Sequence, residues 1–230
     1  MIEEMSYFCN YKFSTNMKKI KLIALLFIGA LGMNAQTNVA LNTSNTKVEW
    51  LGKKFAGKHF GLVNVSAGSL EFAGNALKGG KVEIDMNSIT CTDIEDAESN
   101  AGLIGHLKNQ DFFDVANHPK ANLEITKVQK AKKGGYVVTG NLTIKGATHP
   151  VVFPSSVTNN NGKLSGKATI VFDRTKYDIK YGSTLIGAAK DKAIENNVTL
   201  TVTFQYFFIK KGRFSKKYFQ KSAKCNVRHF

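Results

Sequence analysis

Cysteine is scarce in this chain: Cys9, Cys91 and Cys225 are the only three among 230 residues. Cys9 lies in the part expected to be removed. The remaining pair, Cys91 and Cys225, does not make a disulfide framework, so the fold must be held by its core. No C-x-x-C pair and no cluster of histidine with cysteine stands in the sequence, and no metal ligand set is predicted from it. Also missing are H-E-x-x-H, a G-x-S-x-G elbow and a phosphate-binding Walker loop. The five histidines (His59, His106, His118, His149 and His229) form no catalytic constellation, and no catalytic residue is predicted. His118 and His149 each precede a proline and read as turn residues. The most apolar run, residues 22–31, has ten residues, where a bilayer span needs about 20. No strand–helix repeat recurs, which argues against a parallel α/β sheet.

Acids are also few, 17 against 32 lysines and arginines, giving a formal charge of +15. The first 35 residues carry +2 of this and residues 206–230, with no acid at all, carry +8, which leaves +5 for residues 36–205. The basic character therefore sits in the ends, and a nucleic-acid partner is not predicted for the central part. At the N-terminus, Met17-Lys18-Lys19-Ile20-Lys21 precedes the apolar run, and Ala35 follows it. Basic start, short apolar stretch and small residue make a signal peptide, cleaved after Ala35, with Met17 as the translation start. Gln36 follows the cut, so no cysteine is available for lipid attachment, and the product is expected to be exported and soluble. The expected division is a leader over 1–35, a folded domain over 36–205 and a basic tail over 206–230. Residues 206–209 are expected to prolong the last strand. The rest of the tail is expected to be mobile or to touch an anionic membrane surface transiently. Whether Cys91 and Cys225 pair is left open.

What is present is alternation. "KVEWLGKKF" sets Val48 and Trp50 on one face, and "GLVNVSAGSLEF", which carries Phe72, reads as one or two strands broken at Ala67-Gly68. "KVEIDMNSI" alternates Val82, Ile84 and Met86 with acids, and "ANLEITKV" does the same with Leu123 and Ile125. In "YVVTGNLTIKGATHPVVF" two alternating arms flank a Lys-Gly-Ala turn, with Tyr136, Val138, Leu142 and Ile144 sharing a face and Phe153 in the second arm. "KATIVFDR" turns Ala168, Ile170 and Phe172 inward, and "NVTLTVTFQ" does so with Val198, Leu200, Val202 and Phe204. One wet and one dry face per strand is the pattern of antiparallel sheet, and seven to nine such strands make a closed barrel or a sandwich. Residues 93–118 break the pattern. Acids cluster at their start (Asp93, Glu95, Asp96 and Glu98), and Leu103 and Leu107 sit four apart, so a short helix with a solvated acidic beginning is predicted, with cation binding by the acidic run as the alternative. Phe112 and Phe113 make this connection a candidate lid over one end of the sheet. His59, at the start of a strand, is placed at the mouth, and Asp173, Arg174 and Asp178 are read as a salt-bridged cluster at a turn.

"HFGLVNVSAGSLEF", "KVEIDMNSI", "HLKNQDFFDVANHPKANLEIT", "GNLTIKGATHPVVF" and "VFDRTKYDI", in that order, resemble the YceI family of exported lipid-binding proteins, over residues 40–205. The resemblance implies an all-β fold, an eight-stranded antiparallel lipocalin-like barrel, with the short helix in the long connection. It also implies a periplasmic protein whose interior holds an isoprenoid chain or similar amphiphile, with no other cofactor. On that reading the ligand would lie against Trp50, Phe72, Ile84, Phe112, Leu142, Ile144, Phe153, Ile170, Phe172, Leu200 and Val202. His59, Asp173 and Arg174 would be the polar groups of the mouth. The Arg-Asp pair usual before the "HL" of the motif is replaced here by residues 102–105, two of them glycine, which implies a looser mouth or a different head group. Two other readings stay open on the residues alone. One is an enzyme acting on a bound lipid, with His59 or Asp173 as acid/base; the other is a solidly packed barrel serving as an interaction module.

Overall fold

Strands that are apolar on alternate residues can hide that face only by rolling it inward, and these strands do so. The computed structural model of the chain describes residues 36–55, 57–160, 162–189 and 193–207. The expected leader, Met17, Cys225, His229 and the tail beyond residue 207 lie outside the described residues. The strands are β1 (Gln36–Ala40), β2 (Thr46–Lys54), β3 (Gly57–Ala73), β4 (Ala76–Asp85), β5 (Lys120–Lys130), β6 (Tyr136–Ile144), β7 (Ala147–Asn160), β8 (Lys163–Asp173) and β9 (Asn197–Phe207). All pairings between them are antiparallel. From β2 to β9 the sheet is closed: β3 pairs with both β2 and β4, and β2 returns to β9. The fold is the expected eight-stranded barrel.

β1 is not a ninth stave. It lies beside the far half of β3 (Gln36 opposite Ala73), whereas β2 lies beside the near half (Lys54 opposite Gly57). The two are one stave interrupted by a 3₁₀ turn at Thr43–Asn45. There the Asn42 side chain accepts from the Asn45 N–H at 3.2 Å.

Three local readings need correction. β3 is not broken at Ala67-Gly68; it runs through with a bulge between Val65 and Ala67, which lets a 17-residue strand bend around the barrel. The β6–β7 turn is two residues, not three: Lys145 (φ 49°) and Gly146 (φ 77°) take the left-handed conformations of a tight hairpin, and Ala147 already pairs with Ile144. The domain boundary expected at Gln205 falls short: the last strand runs on to Phe207, within the prolongation expected for residues 206–209. Tyr206 is buried, and its hydroxyl donates to the Ala40 carbonyl at 3.0 Å. It ties the end of β9 to the broken stave, so the folded domain includes Tyr206 and Phe207.

The two ends of the barrel differ. Around Val39, Leu70, Phe72, Leu77 and Leu164 side chains are packed with little or no accessible surface. The opposite end is crossed by the connection between β4 and β5. Its helix, α1 (Ala97–Lys108), is capped by Asp96, whose carboxylate accepts from the Ser99 N–H at 2.8 Å. Before the helix, the chain lies along β3. Thr90 N–H donates to Leu62 O at 2.9 Å, and Thr92 N–H to Phe60 O at 2.9 Å. Among the described residues no helix is long and apolar enough to cross a membrane.

Candidate functional site

The interior of the barrel is not filled. Under the connection that carries α1 lies a cavity of about 270 Å³, bounded by apolar side chains that include Trp50, Ile84, Ile144, Phe172 and Leu200. A second hollow of about 90 Å³ continues toward the packed end, lined by Phe153, Ile170, Val202 and Phe204 among others. Val48, Ile84, Leu142 and Leu200 line both, and so form a waist between them. The inward residues of β9 record the hollowness directly. Val198, Leu200, Val202 and Phe204 point inside yet are only half-buried, because the surface they expose faces the cavities. Atoms on such a wall have no partner on one side, so the dispersion contacts of a packed core are forfeited there.

The roof comes from the connection. Met86, Ile89, Leu103, Leu107, Phe112 and Phe113 face the larger cavity, as do Ile179 and Tyr181 from the loop after β8. The rings of Phe112, His106 and Tyr181 interlock, with His106 4.8 Å from Phe112 and 4.6 Å from Tyr181. Lys145, from the β6–β7 turn, donates to the Gln110 carbonyl at 2.7 Å and pins the roof to the barrel wall.

At the polar rim the fixed cations, Lys53, Lys54 and Arg174, outnumber the acids. His59 and His106 also border the larger cavity, with Glu195 the acid among the lining residues. Arg174 is buried and has no carboxylate partner among the described residues. Its guanidinium donates instead to the carbonyls of Ile179 (2.8 Å), Glu195 (3.1 Å) and Ile194 (3.1 Å). Burial lowers its pKa and the charge of Asp173 partly restores it. The expected salt-bridged turn is therefore not what forms. Asp173 caps the turn at Arg174–Tyr177, accepting from the Thr175 N–H (2.9 Å) and hydroxyl (2.7 Å). Asp178 pairs with Lys180 at 2.8 Å. Backbone geometry wins because short turns leave N–H and C=O groups that only these side chains can reach.

One cluster at the mouth is invisible in the sequence. Asp93 accepts from the Phe60 N–H (2.8 Å) and the Cys91 thiol (3.2 Å), and its second oxygen lies 2.9 Å from His59 Nδ1. Burial pushes the Asp93 carboxyl up, but these hydrogen bonds more than offset it and hold it below the ordinary value. Burial, then the Asp93 carboxylate, pushes the Cys91 thiol up. The acidic start of the connection is thus not wholly a solvated helix end; Asp93 is a tether.

Of the residues singled out from sequence, Trp50, Ile84, Phe112, Leu142, Ile144, Phe172 and Leu200 line the larger cavity with His59 and Arg174. Phe153, Ile170 and Val202 line the smaller one. Phe72 lines neither: with no accessible surface, it belongs to the solid end, where β1, β3 and β4 crowd together. Asp173 is a turn cap rather than a wall of the mouth. Sequence reasoning did not place Cys91, Asp93, Ile179 or Tyr181 at the mouth. All four lie in connections, where no periodicity says which way a side chain points.

A family model described as "YceI-like domain" matches residues 39–206. The chain is 32% identical over 148 residues to a UPF0312 protein of Yersinia pestis (strain Pestoides F), covering 60% of this chain and 72% of that one. It is 31% identical over 108 residues to a UPF0312 protein of Azotobacter vinelandii (strain DJ / ATCC BAA-1303), covering 47% and 52%. Among solved structures, Burkholderia cenocepacia BcnA is similar in fold, with a TM-score of 0.59 at 20% identity over 72% of this chain and 99% of that one.

Proposed function

The chain belongs to the YceI-like family, and from that premise we propose that it is an exported carrier that holds an isoprenoid or similar long-tailed amphiphile inside the barrel. The observation that carries this is the unfilled apolar interior: two hollows in line, joined at the waist of Val48, Ile84, Leu142 and Leu200. An apolar tail removed from water gains about 25 cal/mol per Å², and here it would also supply the contacts that half-buried Leu200 and Val202 lack. A tail needs no hydrogen bonds, and the walls offer few. A polar head would stay at the rim, where cations outnumber acids.

The test is native mass spectrometry and lipid extraction of the purified, exported chain, compared with Leu142→Phe. The wild type is expected to carry a lipid adduct. The variant, with its waist narrowed, is expected to fold but to retain only shorter tails. A wild-type barrel that emerges empty and binds no lipid on incubation rejects the carrier. Export itself is tested on the same material, which should begin at Gln36 after cleavage behind Ala35; material beginning at Met17 on membranes would reject it.

A further inference from the structure

Three donor atoms of different kinds converge at the mouth from chain segments more than thirty residues apart: the imidazole of His59, the thiol of Cys91 and the carboxylate of Asp93. All lie within 4.8 Å of one another. We propose that they form a site for a transition-metal dication of the zinc class.

The chemistry of the donors points to this class. Zinc is borderline in softness and takes imidazole nitrogen, thiolate sulfur and carboxylate oxygen together, whereas magnesium and calcium want oxygen alone. Bond lengths of about 2.0–2.3 Å around a tetrahedral ion place its donors about 3.3–3.7 Å apart. His59 Nδ1 and Cys91 Sγ now sit 2.9 and 3.2 Å from oxygens of Asp93. Small side-chain rotations therefore open the cluster enough to admit an ion.

The ligands are also held in place. The Phe60 N–H orients the Asp93 carboxylate at 2.8 Å, and the Thr92 N–H bond to Phe60 O locks the Cys91–Asp93 segment against the strand that bears His59. Such outer bonds fix the geometry of a first shell. Entry is open, since the imidazole is about a third exposed (30%) while Cys91 is buried beneath it. His59 also borders the larger cavity, so the fourth position faces water or a donor atom of whatever occupies the mouth. On binding, the S–H bond of Cys91 breaks, a sulfur–metal bond forms and the proton leaves to solvent. The site does not depend on the lipid reading.

Cobalt(II) is the probe, because a cobalt–thiolate bond gives a near-ultraviolet charge-transfer absorption. Titration of the reduced full-length chain is expected to saturate at one equivalent, with that absorption and tetrahedral d–d bands, and zinc(II) should displace the cobalt and raise the melting temperature. Cys91→Ser should abolish the charge-transfer band, and His59→Gln and Asp93→Asn should each weaken binding at least about 100-fold. Cys225→Ser should leave the spectrum unchanged. Circular dichroism of each variant separates loss of ligand from loss of fold, and any one folded variant suffices. Absence of stoichiometric binding to the wild type overturns the site, as does a charge-transfer band that survives in Cys91→Ser or is lost in Cys225→Ser.

Discussion

At Gly61 a Cβ atom would stand 1.8 Å from the carbonyl oxygen of Thr90 and 2.9 Å from the Cα of Cys91. The same carbonyl accepts from the Trp50 indole N–H at 2.9 Å. One glycine therefore lets the connection lie flat on β3, closes the mouth and fixes the indole that lines it. Gly61→Ala is predicted to destabilise the protein by about 3 kcal/mol or more, in the range of overpacking a closed core. A denaturant melt within about 1 kcal/mol of wild type, a third of that effect, would show that the connection yields. Tyr177 makes the opposite case. Its hydroxyl is buried without a hydrogen-bond partner among the described residues, and burial pushes its pKa up to about 12. The unfolded tyrosine titrates near 10, so between about pH 10 and 12 the native state keeps a proton that the unfolded state has lost. Stability then falls as pH rises through this window. Tyr177→Phe is predicted to gain about 1 kcal/mol at neutral pH, by removing an unpaired polar group, and to flatten the alkaline limb. Unfolding curves at pH 8, 10 and 11 check both, and an unchanged alkaline limb would argue against the assignment.

Among the elements, β9 carries the sharpest consequence. Because Tyr206 is buried and bonded to Ala40, the end of this strand holds both the sheet and the broken stave. A chain stopped at Gln205 is predicted to lose about 3 kcal/mol or more, the cost of deleting a buried aromatic side chain. A chain stopped at Phe207 should melt within a few degrees of the full length. Equal melting of the two truncations would show that Tyr206 contributes little. The roof is held more lightly. Asp96 caps α1 at its exposed start, so Asp96→Ala should cost about 1 kcal/mol. That loss should appear as faster amide exchange in Ala97–Lys108 rather than as global unfolding.

For the whole molecule the decisive property is the contrast between a solid end and a hollow one. Leu142 and Phe172 face the larger cavity and Phe72 does not. Truncating a packed core residue costs roughly 2–5 kcal/mol, because a new cavity opens. Where a cavity already exists, the added void is a smaller change. Leu142→Ala and Phe172→Ala are therefore each predicted to cost less than about 2 kcal/mol and to shift bound tails toward greater length. Phe72→Ala should cost about 3–5 kcal/mol. Equal, large losses at all three positions, with no lipid recovered from the wild type, would mark a solid barrel. Leu142→Arg separates the cases again: in a packed core an unpaired charge unfolds the domain, whereas beside a hollow the side chain can reach toward the mouth, sparing the fold and abolishing tail binding.

The alternation of Val138, Leu142 and Ile144, or of Val198 through Phe204, needed nothing beyond the order of residues to be read. A period of two assigns every side chain in a strand to one face, and apolar residues on alternate positions leave one face dry and the other wet. The barrel, the inward residues and the helical connection follow from that periodicity and from the YceI-like motifs. Whether the dry face met side chains or empty space was not in the sequence, because Phe72 and Phe172 alternate in the same manner and only barrel closure crowds one and leaves the other beside a void. Nor was the meeting of His59 with Cys91 and Asp93, or the burial of Arg174 among carbonyls. Those residues lie at strand ends and in connections, where direction is set by what the folded chain packs beside them.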